Sequence, residues 1–508
     1  MIKVVSNEEM RGLDHQTITE LQVPGIVLME NAGYQSFIKI KQVCDEKNIR
    51  KAYIFTGKGN NGGDGFVVAR HLVKAGFEVR ILALAVDDEL KGDAKINYTV
   101  CKKYKIPIKK IKSIDDLPFT GEGTLIVDAI FGTGIKGAVH GFAAEIIRWI
   151  NAQQAFVAAI DIPSGLNGNS AALNGETVKA DLTSTMALPK YAHLFYPAKS
   201  RVGELFIADI GMPAFLEHSA QISINLVEEK DIKIDTPQAE GHKYSVGKVF
   251  ILAGSPGMTG AAVLSALGAG VSGVGLVYVG TAKSLNAILE TKLTEQLTLP
   301  LADDGQGILT DEALIAVKNK IDWADALLIG PGLGRHKRTL QIIKEALVYA
   351  ISLNKKTVVD ADALFMLSEN PDLLQELNGN VILTPHHGEY IRLSGTDKER
   401  LREEPWQSGR EFSQKYDSVL NLKGAPSLAA HHGEVFVNST GNQGLAKGGS
   451  GDILGGLIAG FLARGIDPFK AAYYANYYHG KAADMALEAF NSYAYQPQDI
   501  LPFLKSLV

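Results

Sequence analysis

Cysteine is almost missing from this chain: Cys44 and Cys101 are the only two. So small a number excludes a disulfide scaffold and fits a reducing compartment. Long apolar runs are missing too. A stretch such as 453–462 falls well short of the roughly 20 residues a membrane-spanning helix needs. The opening MIKVVSNEEMRGLD turns polar too early to read as a secretion signal. No excess of positive charge exists: 51 basic residues face 56 acidic ones, a formal net charge of −5. That leaves no electrostatic footprint for nucleic acid. These absences point to a cytoplasmic globular protein with neither nucleic acid nor membrane among its partners. At 508 residues the chain is too long for one compact core, so two domains are expected.

What is present is a repeated alternation of short apolar runs with helical spacing. Runs 52–56, 78–84, 124–130, 155–160, 182–188 and 203–210 read as buried strands, with helical patterns at 66–75, 93–104 and 142–151 between them. A second series follows at 248–253, 275–279, 326–329, 357–359, 381–383 and 419–422, with a helical pattern at 339–353. Gly, Pro and Asp bound these runs, as in parallel sheets covered on both faces. The polar segment 217–241 reads as a linker, giving domains over 1–220 and 230–508. The fold class is α/β, two domains in series.

Ligands of open parallel sheets gather beyond the carboxyl ends of the strands. Four motifs of the first half fall there: GKGNNGGDG (57–65), DAIFGTGIKGAVHG (128–141), DIPSGLNG (161–168) and LMENAG (28–33). Glycine turns let backbone N–H groups approach phosphates, and a following helix N-terminus adds a favourable field. Asn61, Asp128 and Ser164 supply only hard oxygen atoms, suited to a weakly held cation. Asp161 is the candidate for acid–base work. Taken singly, these Asn and Asp residues also fit turns and helix caps.

GKGNNGGDG, VDAIFGTG and DIPSG together resemble the YjeF N-terminal family, the NAD(P)H-hydrate epimerases. The resemblance implies a Rossmann-like sheet with a hydrated nicotinamide dinucleotide lying across the strand ends. Its contacts would be Asn60, Asn61, Gly62, Gly63, Asp64, Gly132, Thr133, Gly134, Ile135, Lys136, Gly137, Ala138 and Asp161. A potassium ion would be held by Asn61, Asp128 and Ser164.

The densest signal of the second half is NSTGNQGLAKGGSGDILGGLIAGFLARG (438–465). GGSGD precedes an apolar helical run, so backbone N–H groups would face an anion while Asp452 points a carboxylate at the same place. An anion hole beside a base is what phosphoryl transfer to a hydroxyl requires. No GxxxxGK[ST] occurs, so this is not a P-loop. Simple N-capping by Asp452 is the plainer alternative. With GSPGMTGAA (254–262), IGPGLG (329–334), DADAL (360–364), TPHHGE (384–389) and LKGAPS (422–427), this half resembles the ribokinase-like superfamily. Within it, the similarity is to the ADP/ATP-dependent NAD(P)H-hydrate dehydratases. The resemblance assigns Ala261, Gly332, His386 and Asp452 to the hydrated cofactor, Asp452 as base. It assigns Lys423, Gly424, Ala425, Pro426, Ser427, Asn442, Gln443, Gly444, Leu445, Ala446, Lys447, Gly448, Gly449, Ser450 and Gly451 to the adenine nucleotide.

Two positions depart from the family pattern. His387 stands where proline is usual, and Lys447 stands where threonine is usual, within reach of a nucleotide phosphate. Adjacent His386 and His387 do not read as a metal pair, since the helical spacing that converges two ligands is i, i+4.

The combined expectation is a bifunctional repair enzyme acting on NADHX and NADPHX. The first domain would interconvert R and S hydrates with K⁺. The second would dehydrate the S form, using ADP or ATP with Mg²⁺. A homo-oligomer is expected. The rival is a sugar or vitamin kinase of the same superfamily, fused to a dinucleotide-binding sensor domain.

Overall fold

The computed structural model describes residues 1–118, 120–135, 137–235, 240 and 242–508. Its contacts separate into two compact units, Ile2–Ile222 and Ser223–Val508, the latter taking in Met1. Among the described residues no helix is long and apolar enough to cross a membrane.

Among the described residues the first unit is built on seven parallel strands: β1 (Lys51–Thr56), β2 (Glu78–Ala83), β3 (Ile108–Lys110), β4 (Thr124–Ala129), β5 (Phe156–Ile160), β6 (Leu182–Met186) and β7 (Glu204–Ala208). Their order is β3-β2-β1-β4-β5-β6-β7. Helices α1 (Gly25–Glu46), α2 (Asn60–Lys74), α3 (Gly92–Lys103) and α4 (Gly141–Asn151) cover the two faces. The pleat explains the division. Ile54 packs with Phe66 of α2 and Tyr98 of α3, while its neighbours Tyr53 and Phe55 pack with Ile146 and Ile150 of α4. The order reverses between β1 and β4, and open sheets form a ligand crevice at such a point.

Among the described residues the second unit carries ten strands in one sheet: β8 (Ile224–Leu226), β9 (Lys248–Leu252), β10 (Leu276–Ala282), β11 (Leu297–Leu301), β12 (Ala326–Ile329), β13 (Lys356–Val359), β14 (Val381–Leu383), β15 (Val419–Leu422), β16 (Ser427–His431) and β17 (Glu434–Asn438). Within the unit they run β8-β17-β16-β15-β14-β13-β12-β9-β10-β11. Pairing is parallel except on both sides of β16. Helices α5 (Thr259–Val271), α6 (Ser450–Ala463) and α7 (Pro468–Phe490) form much of its core. The α5–α6 contact depends on missing side chains: a methyl group at Gly268 would overlap the Ile453 carbonyl, and one at Gly456 the Ser265 carbonyl.

Two expectations change. The glycines of 57–65 were read as a turn before a helix at 66, yet α2 starts at Asn60. A side chain at Gly62 would overlap the Gly57 carbonyl, and one at Gly63 would come within 2.6 Å of the Met29 sulfur. These glycines therefore serve close packing inside the first turns. The segment 217–241 contains β8, whose Ile224, Asn225 and Leu226 are buried. Residues 236–239 and 241 of that segment, and Lys136, lie outside the described residues.

Candidate functional site

In the first unit a cavity of about 730 Å³ opens beyond the carboxyl ends of β1, β4, β5 and β6. Asn60, Asn61 and Asp64 reach it from α2, and Gly132, Thr133, Gly134, Ile135 and Ala138 from the segment after β4. Asp161 follows β5 with φ +64°. Gly62, Gly63 and Gly137, expected as contacts, do not line it.

Lys190 is the residue that sequence reasoning missed here. It is 1% exposed, and its ammonium donates to Asp161 Oδ1 at 2.7 Å and to Thr185 Oγ1 at 2.9 Å. Burial pushes the Asp161 carboxyl up, but the Lys190 ammonium, with smaller help from His193 and Thr185, holds the group below its ordinary value. Asp64 goes the other way: burial, then the charges of Asp161 and Asp14, hold its carboxyl well above the usual range. Asp14, also lining the cavity, is pushed up to about 6, chiefly by burial. A carboxyl held low, Asp161, and one held high, Asp64, thus share one cavity. Such separation is how two carboxyls divide acid from base.

Asn61 and Ser164 converge on Phe131, and Ser164 ties Asp128 to them. Asn61 Nδ2 donates to the Phe131 carbonyl at 2.9 Å, and the Phe131 N–H donates to Ser164 Oγ at 2.9 Å. Ser164 donates to Asp128 through Oγ at 2.6 Å and through its backbone N–H at 2.7 Å. Asp128 is fully buried; burial pushes its carboxyl up to about 6 against those hydrogen bonds. Asn61 Oδ1 is buried with no hydrogen-bond partner. An orphaned carbonyl oxygen beside a carboxylate, a hydroxyl and a backbone carbonyl is a donor set that fits a potassium-like ion.

In the second unit the N-terminus of α6 is capped by Gly449 at φ +101°, with no side-chain cap. Asp452 in the first turn is therefore not the N-cap. Beside it lies an ion pair, Lys423 Nζ to Asp360 Oδ1 at 2.7 Å, with the Asp360 side chain 2% exposed. Burial, then the charge of Asp360, raises the Asp452 carboxyl to about 6, with Lys423 opposing. A methyl at Gly451 would stand 3.4 Å from Lys423 Nζ, which places the ammonium at the helix N-terminus. Asp360, the first aspartate of DADAL, went unassigned from the sequence. Its signal was a carboxylate closing the apolar strand β13.

Lys447 departs from expectation. Its ammonium donates to the carbonyls of Tyr493 and Tyr495 and lies over the Tyr495 ring, so it braces the segment 493–495 and is not free for a phosphate. Asn442 is likewise structural: Nδ2 donates to the Ala483 carbonyl at 2.9 Å, and Oδ1 accepts from Gly444 N–H and Tyr495 O–H. Together they shape the loop leading into α6. Gly332, at φ +59°, lies against Ala261, where an added methyl would stand 3.0 Å from the Ala261 Cβ. His386 caps the helix His387–Ser394, accepting from Gly388 N–H at 3.0 Å, and its backbone pairs with Lys423.

The model of a family described as NAD(P)H-hydrate dehydratase matches residues 249–505, and that of the YjeF-related protein N-terminus matches 25–192. The bifunctional NAD(P)H-hydrate repair enzyme Nnr of Moorella thermoacetica is 38% identical, over 99% of this chain and 96% of its own length. This chain belongs to the bifunctional NAD(P)H-hydrate repair enzyme family. The Salinibacter ruber member is 34% identical over 95% of this chain and 91% of its own. A solved ribokinase-like superfamily protein from Enterococcus faecalis is 27% identical with a TM-score of 0.50, covering 56% of this chain and 95% of that one. For a repair-family chain the matched ranges are informative: Asp161 and Lys190 fall in the YjeF-related range, Asp360, Lys423 and Asp452 in the dehydratase range.

Proposed function

We propose that this chain interconverts the R and S hydrates of NADH and NADPH in its first unit and dehydrates the S form in its second, at the expense of ADP or ATP. The observation that carries this reading is the presence of two strand-end sites in separate units. Each has its own carboxylate beside a lysine ammonium, Lys190 fully buried at Asp161 and Lys423 half-buried near Asp452.

In the second unit Asp452 takes the proton of the C6 hydroxyl as its oxygen attacks the terminal phosphoryl group. The N–H groups at the start of α6 and the Lys423 ammonium stabilise the charge spreading on that group. The phosphate then leaves with the C6–O bonding pair, the ring nitrogen supplies electrons, and loss of a C5 proton restores the C5=C6 bond. A carboxyl near pH 6 is well matched to this exchange. Magnesium would come with the nucleotide, whose phosphates supply oxygen ligands.

In the first unit epimerisation needs one proton given and one taken, by loss and return of the hydroxyl or by opening of the hemiaminal ring. Asp64, the carboxyl held high, gives the proton, and Asp161, held low and kept in place by Lys190, takes it. Asn61, Asp128, Ser164 and the Phe131 carbonyl would hold potassium, which would supply positive charge to the site. The buried, unpaired thiols of Cys44 and Cys101 favour a reducing, cytoplasmic setting.

The test is to incubate the protein with mixed NADHX epimers, with and without ADP, and follow NADH absorbance. Full recovery that needs ADP supports both activities. Recovery of only the S fraction removes the epimerase, and phosphorylation of simple alcohols without action on the hydrate returns the chain to the kinase reading.

A further inference from the structure

We propose that Asp417, His431 and His432 form a binding site for a divalent, imidazole-preferring metal ion, zinc above all. The site lies at the opposite end of β15 from Lys423. Strand β15 runs from Val419 to Leu422 and leads into Lys423, so Asp417 stands just before its start. Strand β16 returns antiparallel, with Ala430 opposite Leu420, and so delivers His431 back beside Asp417.

Neighbouring strand residues point to opposite faces, so an adjacent pair of histidines has no reason to converge. Here they converge because the second lies in the turn. His432 adopts φ +47°, which swings its ring onto the side of His431, with centroids 3.9 Å apart. Asp417 Oδ1 lies 3.9 Å from His431 Nε2 and 3.7 Å from His432 Nε2. The three ligand atoms all fall within 4.8 Å of one another. Zinc bonds of about 2.0–2.2 Å set tetrahedral ligands roughly 3.3 Å apart, so closing the site takes small rotations. Two of the three side chains are free to make them: Asp417 is 57% exposed and His432 67%.

The third side chain supplies the second observation. His431 is 18% exposed, and its Nε2 is buried with no hydrogen-bond partner. A buried ring nitrogen left unpaired is costly, and a metal bond satisfies it. Two imidazoles and one carboxylate suit zinc among common ions and leave a fourth position for water. The other adjacent pair differs, because His386 already spends Nδ1 as a helix cap. Bound metal would tie the β16–β17 turn to the start of β15.

The experiment uses the full chain after chelator treatment, titrated with zinc by calorimetry in excess magnesium and potassium, and with cobalt by visible absorption. One saturable zinc site is expected, with tetrahedral-type cobalt bands. His432→Ala and Asp417→Asn should each weaken zinc binding by about tenfold or more, since even indirect partners of a metal are worth that much. The double variant should lose the cobalt bands while dehydrating S-NADHX at the normal rate. No saturable zinc site, or a site that survives in the double variant, overturns the proposal.

Discussion

At the scale of single residues, Asp452 links turnover to stability through one proton. As the base it must be ionised, so dehydration should fall about tenfold per pH unit below its value of about 6. Asp452→Asn should lower dehydration by roughly 10²-fold or more while nucleotide affinity persists, measured by single-turnover kinetics and equilibrium binding. The same carboxyl binds its proton more tightly folded than unfolded, its value rising from 3.8. Stability is therefore lost as pH climbs from about 4 through about 6, and the ligand-free Asn variant should be more stable at pH 8 by up to about 3 kcal/mol. Denaturant unfolding at pH 8 and again at pH 4 checks this, and the gain should vanish at the lower pH. Lys190 carries the opposite sign. Lys190→Met strands the Asp161 carboxylate, so folding should weaken by about 3–5 kcal/mol at neutral pH. Epimerisation should fall with it, and dehydration of pure S-NADHX by the folded protein should not.

At the scale of elements, α5 and α6 approach so closely that glycine is required between them. Gly456→Ala sets a methyl group against the Ser265 carbonyl. The strain should cost about 1–3 kcal/mol or more, read from unfolding of the second unit. The turn after β4 makes a different prediction. Because Asn61 and Ser164 meet at Phe131 and Ser164 holds Asp128, crystals soaked in a heavier alkali ion should show an anomalous peak there, lost in Asn61→Ala. The elements themselves were largely legible. Runs such as 124–130 and 381–383 became strands within a residue or so, since continuous buried apolar runs have few other uses. Strand β3 was missed because Ile108–Lys110 is two-thirds lysine, and the β16–β17 hairpin because its turn is His-Gly and not a familiar Asn-Gly. Asp161 and Asp452 could be found from local motifs. Lys190 could not, because it takes its meaning from a partner 29 residues away; Asp360 had a local signal at the end of β13, but its lysine partner stands 63 residues away.

At the scale of the whole molecule, the division at 222/223 separates the two reactive carboxylates into units with their own cores. Their chemistry should then separate as well. Asp161→Ala should convert the S fraction of a mixed sample quickly and then slow to the uncatalysed interconversion rate. Asp452→Asn should equilibrate epimers while restoring little NADH. Chiral chromatography of the hydrates beside NADH absorbance distinguishes the two. Loss of S-form dehydration in folded Asp161→Ala would contradict separate sites.

The glycine contact between α5 and α6 has a consequence written in the gene. Every missense change of a single base in a glycine codon introduces a side chain, and alanine is the smallest available. At Gly268 and Gly456 even that one carbon overlaps a backbone oxygen. No single-step mutation at either codon keeps the helices at their present distance. The lineage can vary this contact only if both helices move together, and α6 carries Asp452 at its tip.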